Sequence, residues 1–388
     1  MREHSIEEWK NEVTANALVR QQDHFNILPL LHAHMYGPHC NLIFPLAAYN
    51  LSEYYRTAVH PTSGLQRLRF IEKVTRLIPA LGAIHHGGDD SDLPSHVPRV
   101  GYHRDIKPDN ILVFDNSLRF VISDLGLMKF HEIKADSPDY SGVEPSAGTS
   151  AYGAPECGIR GKKVGRSADI WSMGCILTEA IVWCVDGNVG RGKFEQQRKT
   201  IHPEHGYEEN SFFVREKEQR GGQIARLKAR VIEWFDEFKA TAGDPLIADC
   251  MQLLQTIFNG DPRRRPTAEK LDCEFYVILR RHVEHLGPGI RLEINEPTYC
   301  HTPVLLPETG RQTLPLSYSR SSSRISLKRR RSENEFKPPS LYMGFSSIAA
   351  PRPSKKKREI SAFVHLKRLD TASVPASTLI FCMYVCTY

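Results

Sequence analysis

Within HRDIKPDN (His103–Asn110), three side chains stand at spacings that suit the handling of a phosphate. The carboxylate of Asp105 can orient an attacking hydroxyl and take its proton. Lys107, two residues on, can neutralise a phosphoryl group in transit. Asn110, five residues after Asp105, can hold a magnesium ion from the same loop through a hard amide oxygen. A second acid follows in SDLGLMKF (Ser123–Phe130), where Asp124 stands beside Gly126. Its carboxylate is a second candidate magnesium ligand. Together these residues point to phosphoryl transfer.

Such a constellation needs rigid elements around it. ILVF, DNS and LRFVIS (residues 111–123) read as two apolar strands joined at Asp115-Asn116-Ser117, so a hairpin separates Asn110 from Asp124. SADIWSMGCILTEAIVW (Ser167–Trp183) is apolar on nearly all sides and reads as a buried central helix. LQRLRFIEKVTRLIPALGAIHH (Leu65–His86) has helical period and reads as one long helix. Residues 5–22 also read as a helix, with Ser5 and Glu8 at capping-box spacing. FNILPLL (Phe25–Leu31) and NLIFPLA (Asn41–Ala47) are short apolar runs expected to be strands. GGDDSDLPSHVP reads as a polar loop, and residues 186–245 as a charged, Gly-rich insertion with some helix, in which GNVGRG (Gly187–Gly192) is flexible. PLIADCMQLLQTIFN and RPTAEKLDCEFYVILRRHV add two helices. Beyond about residue 288, Pro, Ser, Arg and Lys replace periodic sequence, and disorder is expected.

HRDIKPDN matches the catalytic-loop pattern H-R-D-x-x-x-x-N of protein kinases in every fixed position. Asp-Leu-Gly at 124–126 departs from D-F-G only by Leu125, which keeps the apolar packing. GTSAYGAPE (Gly148–Glu156) is like the end of a kinase activation segment. From Ser5 to Val283 the chain resembles a eukaryotic protein kinase of the serine/threonine type, similar to divergent fungal kinases. Lys107 and Thr149 are what that type carries.

The resemblance implies an α+β bilobal fold, with ATP and Mg²⁺ between a β-rich small lobe and a helical large lobe. The implied partition is 1–47 for a partial small lobe, 48–287 for the large lobe and 288–388 for a tail. It places Phe44 near the gatekeeper position and Leu46 and Ala47, after Pro45, as the hinge against the adenine, and it counts Leu112 among the nucleotide-binding residues. It makes Glu12 the helix acid that pairs with a strand lysine, and His103, Arg104 and Gly126 structural parts of the two loops. Glu156 is expected to pair in the core with a distant arginine, best Arg265 in DPRRRPTAEKL. Asp169 is expected to accept backbone donors from the catalytic loop, to cap its own helix, or both. Arg104 also suggests control by phosphorylation among Ser137, Tyr140, Ser141 and Ser146, which could equally be solvated loop residues.

The Gly-rich loop and strand lysine that kinases use to grip phosphates have no counterpart in the eleven residues before Glu12. Lys10 lies on the same helix and cannot replace a lysine on a neighbouring strand. Asn16, one turn after Glu12, is polar where kinases pack an apolar side chain. Two readings follow. One is a Ser/Thr protein kinase whose sequence here begins too late; the other is a catalytically impaired, kinase-like scaffold that binds partners. Either way, the strands of residues 26–47 are expected to present an unpaired edge.

The net charge of +6 is unevenly placed: +9 from Arg291 onward and −3 before it. LKRRRSE (Leu327–Glu333) and PSKKKRE (Pro353–Glu359) resemble nuclear-import signals, so an import receptor is an expected partner and the nucleus or cytoplasm the expected location. RSSSR (Arg320–Arg324) could be phosphorylated. Protein substrates are expected; nucleic acid and membrane are not. Nine scattered cysteines without a Cys-x-x-Cys pair suggest free thiols in a reducing compartment. No run approaches the roughly 20 apolar residues that a membrane helix needs. The apolar TLIFCMYVCTY (Thr378–Tyr388) reads as a short docked segment or as sequence past a coding end. His32, His34, His85 and His86 form no recognisable metal set and read as surface histidines.

Overall fold

The computed structural model describes residues 2–37, 39–87, 99–114, 118–132, 151–159, 164–201, 206, 208–217, 223–285, 297 and 383–387. All of these fall in one compact unit. Thr149, Ser137, Tyr140, Ser141, Ser146, the 115–117 turn, the 88–98 loop, RSSSR and both basic clusters lie outside the described residues.

Helix α1 (Arg2–Arg20) lays Trp9 and Val13 on the inner face of a small sheet and buries Ala15 and Val19 in the main core. It reaches Arg2, so Ser5 lies inside it and does not cap its start. The sheet begins with β1 (His32–Tyr36) and β2 (His39–Pro45), antiparallel, with His32 opposite Ile43 and Tyr36 opposite His39. The turn between them holds Gly37 at φ 56°, a left-handed conformation that glycine adopts without strain. The expected strand at Phe25–Leu31 does not form; its place is taken by HAHMY. Pro29, which has no N–H to give a ladder, interrupts the earlier run. Asn26 and Leu28 instead tie this segment to the strand of residues 119–122: Leu28 N donates to Ile122 O (2.9 Å) and Ile122 N to Asn26 O (2.9 Å).

The short β3 (Tyr49–Asn50) leads into α2 (Leu51–Thr57), where Asn50 and Glu53 form a reciprocal capping box. Helices α3 (Gly64–Thr75) and α4 (Leu77–His85) replace the single helix expected across this stretch. The break falls at Arg76. Pro79 cannot donate to the Thr75 carbonyl four residues back, so the ladder lapses there. Then β4 (Arg99–Tyr102), β5 (Ile111–Phe114), β6 (Arg119–Ile122) and β7 (Lys129–Glu132) follow. β5 and β6 form the expected hairpin, β3 pairs with β5, and β7 returns to pair with β4.

Helix α5 (Arg166–Arg198) crosses the core. Trp183 donates Nε1–H to Tyr55 O (3.0 Å) and packs with Tyr54 and Phe70 at ring separations of 5.1–5.2 Å. By length and apolarity α5 could cross a membrane, contrary to the sequence expectation, but 94% of its most apolar stretch is buried inside the protein. GNVGRG is not a flexible insertion: it continues α5 after a kink at Gly187 (φ 64°). A side chain at Gly187 would also meet His60 at 2.8 Å.

Two small antiparallel pairs follow, β8 (Thr200–Ile201) with β9 (Glu208–Glu209) and β10 (Phe213–Lys217) with β11 (Gln223–Leu227). The large lobe closes with α6 (Ala229–Ala242), α7 (Pro245–Gln255, capped by Asp244) and α8 (Ala268–His285). Last, β12 (Met383–Thr387) pairs antiparallel with β2, giving the sheet order β1-β2-β12. The edge of β2 expected to stand open is therefore covered, and the docked reading of this apolar segment matches its backbone. The cysteines at 40, 157, 175, 184, 250 and 273 are free thiols.

Candidate active site

The chain path brings the two acid-bearing loops together. The loop 103–110 leaves β4 and enters β5; residues 123–128 leave β6 and enter β7, which pairs back onto β4. Each loop therefore runs between the same two strand pairs, β4–β7 and β5–β6. Gly101 in β4 lies so close to the Ile84 carbonyl that a Cβ there would collide with it, which seats β4 against α4.

Asp169, in the first turn of α5, fixes the first loop. It is 2% exposed and accepts from His103 N (2.8 Å), Arg104 N (2.9 Å) and the His85 ring (3.1 Å). Burial alone would raise its pKa. The His85 hydrogen bond, the nearby His85 and His103 rings and the Arg104 N–H outweigh that and hold it below the usual value. This grip sustains Arg104 at φ 74°, a conformation that costs about 1–3 kcal/mol in a non-glycine residue. His103 accepts at Nδ1 from Asp105 N (3.3 Å), and its Nε2 lies 3.0 Å from Ser123 O. One imidazole thus spans the two loops.

Asp105 is 9% exposed, with Lys107 Nζ 2.6 Å from its Oδ2. Asn110 Nδ2 donates to Asp105 O (2.9 Å) and Oδ2 (3.0 Å). Its Oδ1 accepts no hydrogen bond among the described residues and stays available to a hard cation. Ser123 N and Oγ both donate to Asn110 O (3.0 Å each), locking Asn110 to the residue before Asp124. Asp124 is exposed, at φ 63°, with Gly126 N donating to its Oδ1 (3.3 Å). Leu125 is buried in the main core.

Above these loops, Phe44 and Leu42 pack with Leu28 and Val121, and Leu112 packs against that group. Leu46 is 50% exposed and Ala47 half-buried, next to Ala48, whose N donates to Val113 O (3.1 Å). Glu156 and Arg265 form a buried bidentate pair (2.7 and 2.8 Å). Arg265 also donates to Ser167 O and Asn259 O and lies over Trp171.

Glu12 is 4% exposed, and its Oε2 has no partner. No ion pair to it occurs among the described residues. Asn16 donates to the Glu12 main-chain oxygen (2.9 Å), which satisfies that buried amide. Burial, then the charge of Asp124, pushes the Glu12 pKa from 4.5 up to about 8. A carboxyl raised in the folded state stabilises less as pH climbs from 4.5 towards 8, at up to about 1.4 kcal/mol per pH unit. Glu12→Gln is therefore expected to raise the melting temperature at pH 8 and to flatten its decline between pH 6 and 8. Parallel melting curves for the two proteins would contradict this assignment.

Two features escaped sequence reasoning. His85 is buried against Asp169 rather than on the surface, although an apolar helix ending in histidine hinted at it. Glu179, an acid inside the apolar run of α5, joins Arg198 (2.7 Å), Arg191 (3.3 Å) and the Tyr152 hydroxyl (3.1 Å). That network anchors the residues just before Glu156. A lone acid in an otherwise apolar helix is the signal that could have found it.

Comparison with known proteins finds a match to the protein kinase domain over residues 1–277. The human MAPK/MAK/MRK overlapping kinase is 25% identical over 307 residues, 77% of this chain and 65% of its own length. A serine/threonine-protein kinase of Schizosaccharomyces pombe is 42% identical over 82 residues, 21% of this chain and 14% of its own. The CBL-interacting serine/threonine-protein kinase 2 of Arabidopsis thaliana is 42% identical over 76 residues, 20% of this chain and 16% of its own. The chain thus spans less than two thirds of each of these curated relatives.

Proposed function

Because the chain belongs to the protein kinase family, we propose that it transfers the γ-phosphate of ATP to serine and threonine hydroxyls of proteins. The observation that carries this reading is the Asp105–Lys107–Asn110 cluster, with Asp105 2.6 Å from Lys107 and 3.0 Å from Asn110 on a loop hung from Asp169. Asp105 orients the incoming hydroxyl and accepts its proton. Lys107 offsets charge on the transferring group. Phe44, Leu46, Ala47 and Leu112 offer apolar surface to the adenine. The free Asn110 Oδ1 and the exposed Asp124 carboxylate are hard oxygen donors that suit Mg²⁺, which keeps few protein ligands and shares the rest with phosphates. Bound there, magnesium would neutralise phosphate oxygens. The basic clusters at 327–333 and 353–359 support recognition by an import receptor and a nuclear location.

A second reading is a scaffold without transfer, which draws on one observation: the buried Glu12 Oε2 has no partner among the described residues. An assay separates the two. The full chain, magnesium and γ-labelled ATP are mixed with a serine/threonine peptide library. Labelled phosphoserine or phosphothreonine that disappears with EDTA supports the kinase; folded protein without label supports the scaffold.

A further inference from the structure

We propose that His32 and His34 form a chelating pair for a divalent transition-metal ion of the class that prefers imidazole (copper, nickel, zinc), outside the Asp105 loop. Sequence spacing alone does not make them a metal set; the strand does. Residues two apart on a strand point to the same face. In β1 the two imidazole rings stack with centroids 5.4 Å apart and planes 28° from parallel. Metal–nitrogen bonds of about 2.0–2.1 Å set the ring centres of two neighbouring imidazoles on one ion roughly 4.5–6 Å apart. The pair therefore already stands at a chelating separation.

Three further observations fit a cation there. First, His34 is half-buried, and its Nδ1 is buried with no hydrogen-bond partner among the described residues. A buried polar atom without a partner calls for an explanation, and a bound ion supplies one. His32 is exposed, which opens the pair to solvent. Second, the hairpin is held from both sides: β1 pairs with β2 through five residues, and Trp9 of α1 donates to Asn41 O (3.3 Å). Little ordering is left to oppose binding. Third, from His24 to Ser52 the sequence contains no Asp, Glu, Lys or Arg. No lysine or arginine of this stretch repels a cation, and no carboxylate draws it away. Across the ladder His34 faces Asn41 and His32 faces Ile43. His39 shares that face, opposite Tyr36, but no third His, Cys, Asp or Glu closes on the pair among the described residues. The chain therefore supplies two nitrogens and water the remaining positions. Nitrogen ligands favour ions of the copper–nickel–zinc class over Mg²⁺, which takes oxygen, so this pair and the proposed magnesium ligands select different ions. Another histidine pair, His282 and His285 (6.4 Å), is already engaged: His282 Nε2 with Asp249 (2.8 Å) and His285 Nδ1 with Arg281 O (2.6 Å).

The test is calorimetric titration of the full chain with Ni²⁺, which favours imidazole and does not oxidise thiols. Saturable binding is expected. His32→Gln and His34→Asn should each weaken it roughly 10–100-fold, because losing a direct ligand costs at least as much as losing an outer-shell partner. The double variant should bind little worse than either single, since one imidazole alone does not chelate. His282→Asn should bind like the parent. His32 is exposed, so His32→Gln keeps the fold and decides the matter if His34→Asn does not fold. Binding unchanged in His32→Gln, an equal loss in His282→Asn, or no saturable binding by the folded parent would overturn the proposal. The titration needs no nucleotide and so is independent of whether the chain transfers phosphate.

Discussion

Asp105→Asn is expected to lower the proposed phosphate transfer by about 10²–10⁴-fold while leaving the fold in place. The substitution keeps size and shape but removes the proton acceptor and the charge facing Lys107 at 2.6 Å. A factor of 10²–10⁴ corresponds to about 3–5 kcal/mol of transition-state stabilisation. The backbone of the loop is held from elsewhere, by Asp169 on His103 and Arg104 and by Ser123 on Asn110. Melting temperature should therefore move little, and the loss should fall on turnover more than on the apparent affinity for ATP. Initial-rate measurements with a good peptide substrate check this. An Asp105→Asn protein that transfers phosphate within threefold of the parent would remove Asp105 from the chemistry.

Arg265→Ala is expected to be the most damaging single change to stability, at about 3–5 kcal/mol. The guanidinium is fully buried and makes two bonds to Glu156, one each to Ser167 O and Asn259 O, and a face contact with Trp171. Truncation leaves the Glu156 carboxylate, itself 5% exposed, buried without a counter-charge. Against a typical total of about 5–15 kcal/mol, that is a large fraction. Denaturant titration of the single variants and the double variant Glu156→Ala/Arg265→Ala measures the coupling. The double variant should lose less than the sum of the singles, because no lone charge remains. A loss under about 1 kcal/mol for Arg265→Ala would show that the pair is not what holds residues 154–156 to α5.

Much of the site was legible because it rests on fixed short spacings. Asp105, Lys107 and Asn110 share one loop of eight residues, and the hairpin that follows determines where Asp124 emerges. The buried run of α5 was legible from apolarity alone, whereas the pairing of Glu156 with a distant arginine came from the resemblance to kinases. What sequence could not supply was long-range geometry. The break at Arg76 depended on weighing Pro79 against a strong helical period, and the strand displaced from Phe25–Leu31 to His32–Tyr36 on weighing Pro29. His85 meets Asp169 across 84 residues, and no local pattern carries that contact. The partner of the β2 edge lies more than 300 residues away. Glu179 was readable in principle, since an acid amid Ile, Leu, Thr and Ala on a buried helix must be paired, but its partners Arg191 and Arg198 stand in a stretch that glycines disguised as loop.

Glu12, whose Oε2 has no partner among the described residues, and the Asp105 loop pull the functional reading in opposite directions. Nucleotide binding decides between them more directly than turnover, because it needs no knowledge of the protein substrate. The measurement is calorimetric titration of the full chain with ATP, with and without Mg²⁺, beside Asp124→Asn. The kinase reading predicts saturable binding that requires Mg²⁺ and weakens on the order of 100-fold in Asp124→Asn. Folded protein that takes up no ATP at millimolar nucleotide and magnesium would contradict it.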